Sequence, residues 1–175
     1  VDAPLPIAQA VVPENLNLSS PSVLQALTEG AILGSYCFDT YKSKKSKQAS
    51  LKQLVFISAT KKPANADRAS RKCRVGAAGV GEAVNFAREL INRPPSDKRP
   101  MVLAGLARQL AGKGVSVRVY GKPELKRMGA NALLGVNRGS AHPPALVHLR
   151  YRPSGKVKGS VAFVGKGVTF DSGGL

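Results

Sequence analysis

The sequence predicts an α/β protein built in layers, and three observations carry that prediction. Helical and strand-like patterns alternate from residue 75 onward, the order of elements that stacks helices on a sheet. VSVRVY at 115–120 alternates, with Val115, Val117 and Val119 on one face, the period of a half-buried strand. SVAFVGK at 160–166 is apolar on both faces and reads as a central strand covered on each side. Hydrophobic residues make up 43% of the chain and aromatics 5%, with no tryptophan, so the expected core is aliphatic.

In chain order, Ser20-Pro21 reads as an N-cap followed by proline at the first helical position. Val23, Leu24, Leu27 and Ala31 then recur at helical spacing, which predicts a helix over 21–36. FDTYKSKKSKQAS is a polar, basic loop, and LKQLVFIS (51–58) a short strand. KKPANADRASRKCR (61–74) reads as a linker. Gly79, Ala83, Phe86, Ala87 and Leu90 share one face of the next helix. The glycines at 76, 79 and 81 weaken its first turns by about 1 kcal/mol each, unless they serve close packing against a neighbour. Pro94-Pro95 ends that helix. Pro100 begins another, with Val102, Leu103, Leu106 and Leu110 inward and Gly112 at its C-terminal end. After VSVRVY come a short helix near 123–128, NALLGV, a loop over 135–144, and strands at ALVHLRY (145–151) and 160–166. No internal repeat is present.

The net charge of +17 is unevenly spread. Residues 1–41 hold no Lys or Arg, and four acids: Asp2, Glu14, Glu29 and Asp39. All 27 basic residues lie beyond them, 11 of them between 42 and 74 against Asp67 alone. A field of that sign attracts polyanions; a solvated basic surface without a dedicated partner reads equally well. Lys42, Lys44, Lys45, Lys47, Arg71, Lys72 and Arg74 are the candidate contacts for nucleic acid. No apolar run approaches the length of a membrane span. Cys37 and Cys73 have neither metal-ligand spacing nor disulfide density, which leads us to expect a reducing compartment and thiols at least partly buried. His142 and His148 have no carboxylate or cysteine beside them in sequence and read as structural. The chain opens on Val1 rather than methionine, so an upstream piece is expected.

GKGVTFDSGG holds the densest chemistry. The expected strand delivers Lys166 and then Asp171 to a sheet's carboxyl end, where open α/β folds place ligands. The flanking glycines let backbone turn sharply and approach a ligand. A phosphate loop is one reading, but the G-x-x-x-x-G-K-[ST] pattern is absent. A metal site is another, with Asp171 as a hard oxygen ligand and Lys166 as an amine that binds only after losing its proton. A glycine-rich turn with a surface lysine and a capping aspartate is the third.

VGKGVTFDSGG resembles the signature segment of the leucyl aminopeptidase family, the cytosol-type dinuclear metallo-aminopeptidases. Three further stretches resemble the same family in order. EGAILGSYCFDTYKSKK is similar to the last helix of its N-terminal domain. AVNFARELINRPPSDKRP is similar to its interdomain helix and Asn-x-Pro-Pro turn. ELKRMGANALLGVNRGSAHPPALVHLRY is similar to the start of its catalytic domain. Ser96 and Arg99 stand where the family usually has Asn and Thr, and arginine cannot cap the following helix as threonine does.

The resemblance implies three parts: the C-terminal part of an N-terminal α/β domain (1–62), a linker and connecting helix (63–98), and the start of a mixed-sheet α/β catalytic domain (99–175). It implies that Lys166 and Asp171 are metal ligands for two divalent ions (zinc, manganese or magnesium), that the substrate is a peptide with a free N-terminus, and that the enzyme is a homo-hexamer. The family's remaining carboxylate ligands, its second lysine and its arginine belong to later segments. We therefore expect 1–175 alone to be inactive, without metals or catalytic residues of its own, and a full-length chain to be an aminopeptidase of the cytoplasm or of a mitochondrion or plastid. Two alternatives stand beside it. One is an inactive structural subunit of a nucleic-acid-containing assembly, such as an organellar ribonucleoprotein. The other is a dead partner of active subunits.

Overall fold

The computed structural model describes residues 7–11, 20–44, 53–57 and 66–170. The chain divides into two compact units, Val1–Asn92 and Arg93–Leu175.

The first unit contains β1 (Ile7–Val11), α1 (Pro21–Gly34), β2 (Gln53–Ile57) and α2 (Ala66–Asn92). β1 and β2 are parallel, with Ile7 opposite Gln53 and Val11 opposite Ile57. A parallel pair needs a long crossover rather than a hairpin turn, and α1 lies in it. The sequence reading missed β1, because IAQAV is too short and too poor in β-branched residues to stand out. α1 forms where expected, but no side chain caps its first turn; the Ser20 hydroxyl pairs with that of Ser22 instead, at 2.9 Å. Leu24 and Thr28 are buried, and the Thr28 hydroxyl donates to the Leu24 carbonyl at 2.7 Å, so the buried polar group is satisfied.

α2 differs from expectation in two ways. It starts at Ala66, so 66–74 is helix and not linker; apart from Gly76, nothing between Ala66 and Ala78 interrupts it, and Arg and Lys are good helix formers. It also packs with another face. Ala77 and Gly81 are buried, and Asn85 and Arg88 half-buried, whereas Gly79, Ala83, Phe86 and Ala87 are exposed. The small residues that matter are those set against α1. A β-carbon at Gly81 would sit 2.8 Å from Ile32 Cγ2, while Gly76 and Gly79 have nothing within 4 Å. Helix axes come closest where a side chain is absent, and the face with the least volume wins the contact.

α2 also closes the end of α1. The last carbonyls of a helix have no partner within it, and α1 has no basic residue in its last turn. Asn85 Nδ2 donates to the Ile32 carbonyl at 3.0 Å and Arg88 Nη1 to that of Leu33 at 2.8 Å. Tyr36 lies under the Arg88 guanidinium at 5.8 Å and accepts from Asn92 Nδ2 at 3.1 Å.

The second unit contains α3 (Pro100–Arg108), β3 (Val115–Tyr120), α4 (Lys122–Arg127), α5 (Asn131–Val136) and β4 (Leu146–Tyr151), with single 3-10 turns at Pro95–Asp97 and Asn137–Gly139. β3 and β4 pair antiparallel, Val115 opposite Tyr151 and Tyr120 opposite Leu146. The valines at 115, 117 and 119 are half-buried, and α3 packs against both strands through fully buried Ala104. α4 contributes buried Leu125. It begins where Glu124 accepts from the Gly121 backbone N–H at 2.9 Å. It ends with Gly129 at φ +68 and Ala130 N–H on the Leu125 carbonyl at 3.0 Å, a left-handed glycine cap.

α3 stops at Arg108, short of Gly112. No side chain caps its start at Arg99. Its last carbonyls bond three residues on, to the amides of Gln109, Leu110 and Ala111, which tightens the exit and leaves Leu110 half exposed. Gly112 instead opens a tight turn. Lys113 and Gly114 both have positive φ, at +44 and +86, and Gly112 and Val115 exchange both backbone bonds at 2.8–2.9 Å, the geometry of a type I′ turn.

The expected central strand at 160–166 is not formed. These residues carry no strand pairing and are exposed, with Phe163 and Val164 at 95% and 98% of full exposure. A strand exists only through its neighbours' ladder. β3 and β4 pair with each other, and among the described residues no third strand joins them. Apolar character on both faces specifies what a strand needs around it; here that covering is not supplied by the described residues.

Candidate functional site

Lys166 lies in this unpaired segment, between Gly165 and Gly167, and is exposed. Its carbonyl accepts from the Val168 amide at 3.1 Å, a local kink two residues wide. Neither flanking glycine has anything within 4 Å, so the space their missing side chains would leave for a ligand is open here rather than enclosed. Asp171, with Ser172, Gly173 and Gly174, lies outside the described residues.

Among the described residues no group of three or more His, Cys, Asp or Glu is placed to hold a metal. Among the described residues no acidic side chain pairs with Lys166. A catalytic metal needs about three protein ligands at one point, so the described residues do not by themselves amount to a cation site.

The basic candidates fall into two groups within the first unit. Lys42 and Lys44 are exposed just beyond α1. Lys42 Nζ lies 2.8 Å from Asp39 Oδ1, and that hydrogen bond, then the attraction between the charges, raises the lysine pKa above its ordinary value. One of the expected polyanion contacts thus already has an anion. Arg71 and Arg74 are exposed one turn apart on α2, and Lys72 lies between them on the same helix. Lys45 and Lys47 lie outside the described residues.

The two histidines sit apart, His148 on β4 and His142 in the loop before it. His148 is exposed on β4 opposite Arg118. His142 is held by its backbone: its carbonyl accepts from Asn137 Nδ2 at 2.8 Å and its amide donates to Ser140 Oγ at 3.1 Å. Cys37 is exposed, contrary to the expected burial; Tyr36 and Thr40, on either side of it, bond to Glu89 of α2.

One feature was missed in the sequence. The polar face of β3–β4 gathers Ser116, Arg118, His148 and Arg150. The signal was present in VSVRVY and LVHLRY as the residues between the apolar ones, but only the register says which of them lie opposite each other.

No helix among the described residues is long and apolar enough to cross a membrane. Comparison with known proteins agrees with the motif. The profile of the cytosol aminopeptidase family, catalytic domain, matches residues 85–175. A probable cytosol aminopeptidase of Aquifex aeolicus is 42% identical over 167 residues, covering 94% of this chain and 32% of the relative. One from Mycobacterium ulcerans is 41% identical over 176 residues, covering 96% and 33%. The chain thus spans about a third of the length of the curated relatives it matches. Among solved structures, a tomato leucine aminopeptidase mutant aligns with a TM-score of 0.77 at 27% identity, over 95% of this chain and 33% of that one. The bottromycin maturation enzyme BotP in complex with Mn aligns at 0.62 and 30% identity, over 77% and 26%. With an α/β fold of this kind and a family profile running through its glycine-rich segment, the chain belongs to the cytosol aminopeptidase family.

Proposed function

We propose that this chain is part of a metal-dependent aminopeptidase that releases N-terminal residues, such as leucine, from peptides. The observation that carries the reading is the extent of the family match: it covers 85–175 and so takes in both Lys166 and Asp171. In this reading 1–62 ends an N-terminal domain, 63–98 connects, and 99–175 begins the catalytic domain. Lys166, deprotonated, and Asp171 are its share of the ligands for divalent ions. Zinc, manganese and magnesium are the candidates, and the manganese in the BotP complex is in keeping with them. Such ions supply Lewis acidity and acidify water when bound. The remaining ligands come from polypeptide beyond this third of the enzyme. A homo-hexamer acting in the cytoplasm or an organelle completes the reading.

A chimera joining 1–175 to the remaining two thirds of the Aquifex aeolicus relative tests it. Leucine release from leucyl p-nitroanilide is expected, abolished by chelator and lowered about 100-fold or more in Lys166→Ala, with a folded protein in each case. A chimera that binds two divalent ions and cleaves no N-terminal residue would overturn it. A second reading, a structural subunit of a nucleic-acid-containing assembly, draws on the exposure of Lys44, Arg71 and Arg74.

A further inference from the structure

Between residues 98 and 170 stand fourteen Lys and Arg against one acid, Glu124, and that carboxylate is engaged by the Gly121 N–H. Part of this charge is organised by the β3–β4 ribbon. Register sets Ser116 opposite Arg150 and Arg118 opposite His148, and residues directly opposite share a face of the sheet. All four are exposed. Tyr120 belongs to the same face, and the Arg118 guanidinium lies over its ring at 4.7 Å. At the other end of the ribbon, the Arg152 amide bonds to the Gly114 carbonyl at 2.8 Å. That bond sets Arg152 beside the turn that carries Lys113. Among the described residues no ion pair neutralises Arg118, Arg150 or Arg152.

We propose that this face binds single-stranded nucleic acid, with the phosphates on Arg118, Arg150 and Arg152 and a base against the Arg118–Tyr120 stack. Same-face side chains on one strand repeat about every 6.8 Å and six residues span about 20 Å, a length that takes several nucleotides. A guanidinium already stacked on an aromatic ring keeps its donors in one plane, ready for bidentate phosphate contact. An aromatic surface within a cationic track is the arrangement that holds single strands without sequence preference. A membrane surface fits less well. Peripheral attachment sinks apolar side chains beside the cations, but Leu149 and Tyr151 pair with Val117 and Val115 on the opposite face. The proposal differs in location from the basic stretch of the first unit.

Fluorescence anisotropy of a labelled uridine RNA of about 20 nucleotides with the whole 175-residue chain tests it, between about 50 and 200 mM salt. Binding that weakens with salt is expected. The double reversal Arg118→Glu/Arg150→Glu is expected to weaken it tenfold or more and to flatten the log–log salt slope by about 0.7 for each phosphate no longer neutralised. The same charge change on α2, Arg71→Glu/Arg74→Glu, is expected to weaken binding several-fold less than the ribbon reversal does, because it removes general field and not a phosphate contact of the ribbon. Circular dichroism checks folding; should the reversal misfold, Arg118→Gln/Arg150→Gln replaces it with the same expected direction. The proposal is overturned if the chain binds no RNA, if the double variant binds as well as the parent, or if the weakening follows Arg71 and Arg74. It is equally overturned if vesicles containing phosphatidylserine bind in preference to RNA and lose that binding with the double variant.

Discussion

Gly81 of α2 lies against Ile32 of α1 so closely that a β-carbon there would be 2.8 Å from Ile32 Cγ2 and 3.0 Å from its Cβ. Ile32 cannot swing aside, because a β-branched side chain in a helix is confined to one preferred χ1. Gly81→Ala therefore has to push the helices apart. Overpacking of this kind costs about 1–3 kcal/mol, against a gain of about 1 kcal/mol in helix propensity. We expect a net loss of about 1 kcal/mol. Gly79, two residues away, is exposed with nothing within 4 Å, so Gly79→Ala is expected to gain up to about 1 kcal/mol. Urea unfolding followed at a helical wavelength reads both. Equal signs for the two substitutions would refute the packing described.

Arg88 supplies the positive charge that the end of α1 lacks. Its bond to the Leu33 carbonyl at 2.8 Å meets both an orphan acceptor and the negative end of the helix dipole. Arg88→Met keeps the aliphatic stem and removes the donors. The expected cost is about 1–2 kcal/mol. It should appear as faster hydrogen exchange at the Ser35 amide, which closes the helix on the Ala31 carbonyl. Unchanged exchange there would mean that water replaces the guanidinium without loss.

These two contacts show where the sequence was legible and where it was not. β3 formed over the residues that alternate, 115–120, because period-2 burial is a local pattern. α1 formed for the same reason at period 3.6. Which face of α2 would pack was not local: the apolar set of Ala83, Phe86 and Ala87 is exposed, and the contact went to Ala77 and Gly81 because α1 needs proximity more than hydrophobic area. The segment 160–166 is the extreme case. Its apolar residues call for strand partners from elsewhere, and no periodicity can supply them. Lys166 was identifiable only through the motif around it; its exposed setting here carries no mark of a ligand, and Asp171 lies outside the described residues.

Lys42 and Asp39 make a pH-dependent prediction. The 2.8 Å contact raises the lysine pKa above 10.5 in the folded chain. A raised pKa means that the folded state holds the proton more tightly than the unfolded one. Its contribution to stability is complete below pH 10.5 and is lost as pH rises through the raised value. Asp39→Asn removes the carboxylate charge, and with it the attraction and the charge-assisted strength of the hydrogen bond. The Lys42 titration, followed by its side-chain NMR resonances, is then expected to fall back toward 10.5. A midpoint unmoved by Asp39→Asn would show that the pair does not persist in solution.

The turn before β3 separates two glycine-like demands that adjacent residues meet differently. Lys113 holds φ +44 without being glycine, at a cost of about 1 kcal/mol. Gly114 holds φ +86, and a β-carbon there would collide with the Arg152 carbonyl. Lys113→Gly is expected to stabilise the second unit by up to about 1 kcal/mol, because the strain is relieved while no packed side chain is removed. Lys113 is exposed. Gly114→Ala is expected to destabilise by more than that gain. It meets the unfavourable φ and also forces apart the Gly114 carbonyl and Arg152 amide, which bond at 2.8 Å and join the two strands at one end of the ribbon. Thermal unfolding of the two variants should therefore bracket the parent. If Gly114→Ala melts with the parent, Gly114 does not hold the positive φ and the close approach to the Arg152 carbonyl described here.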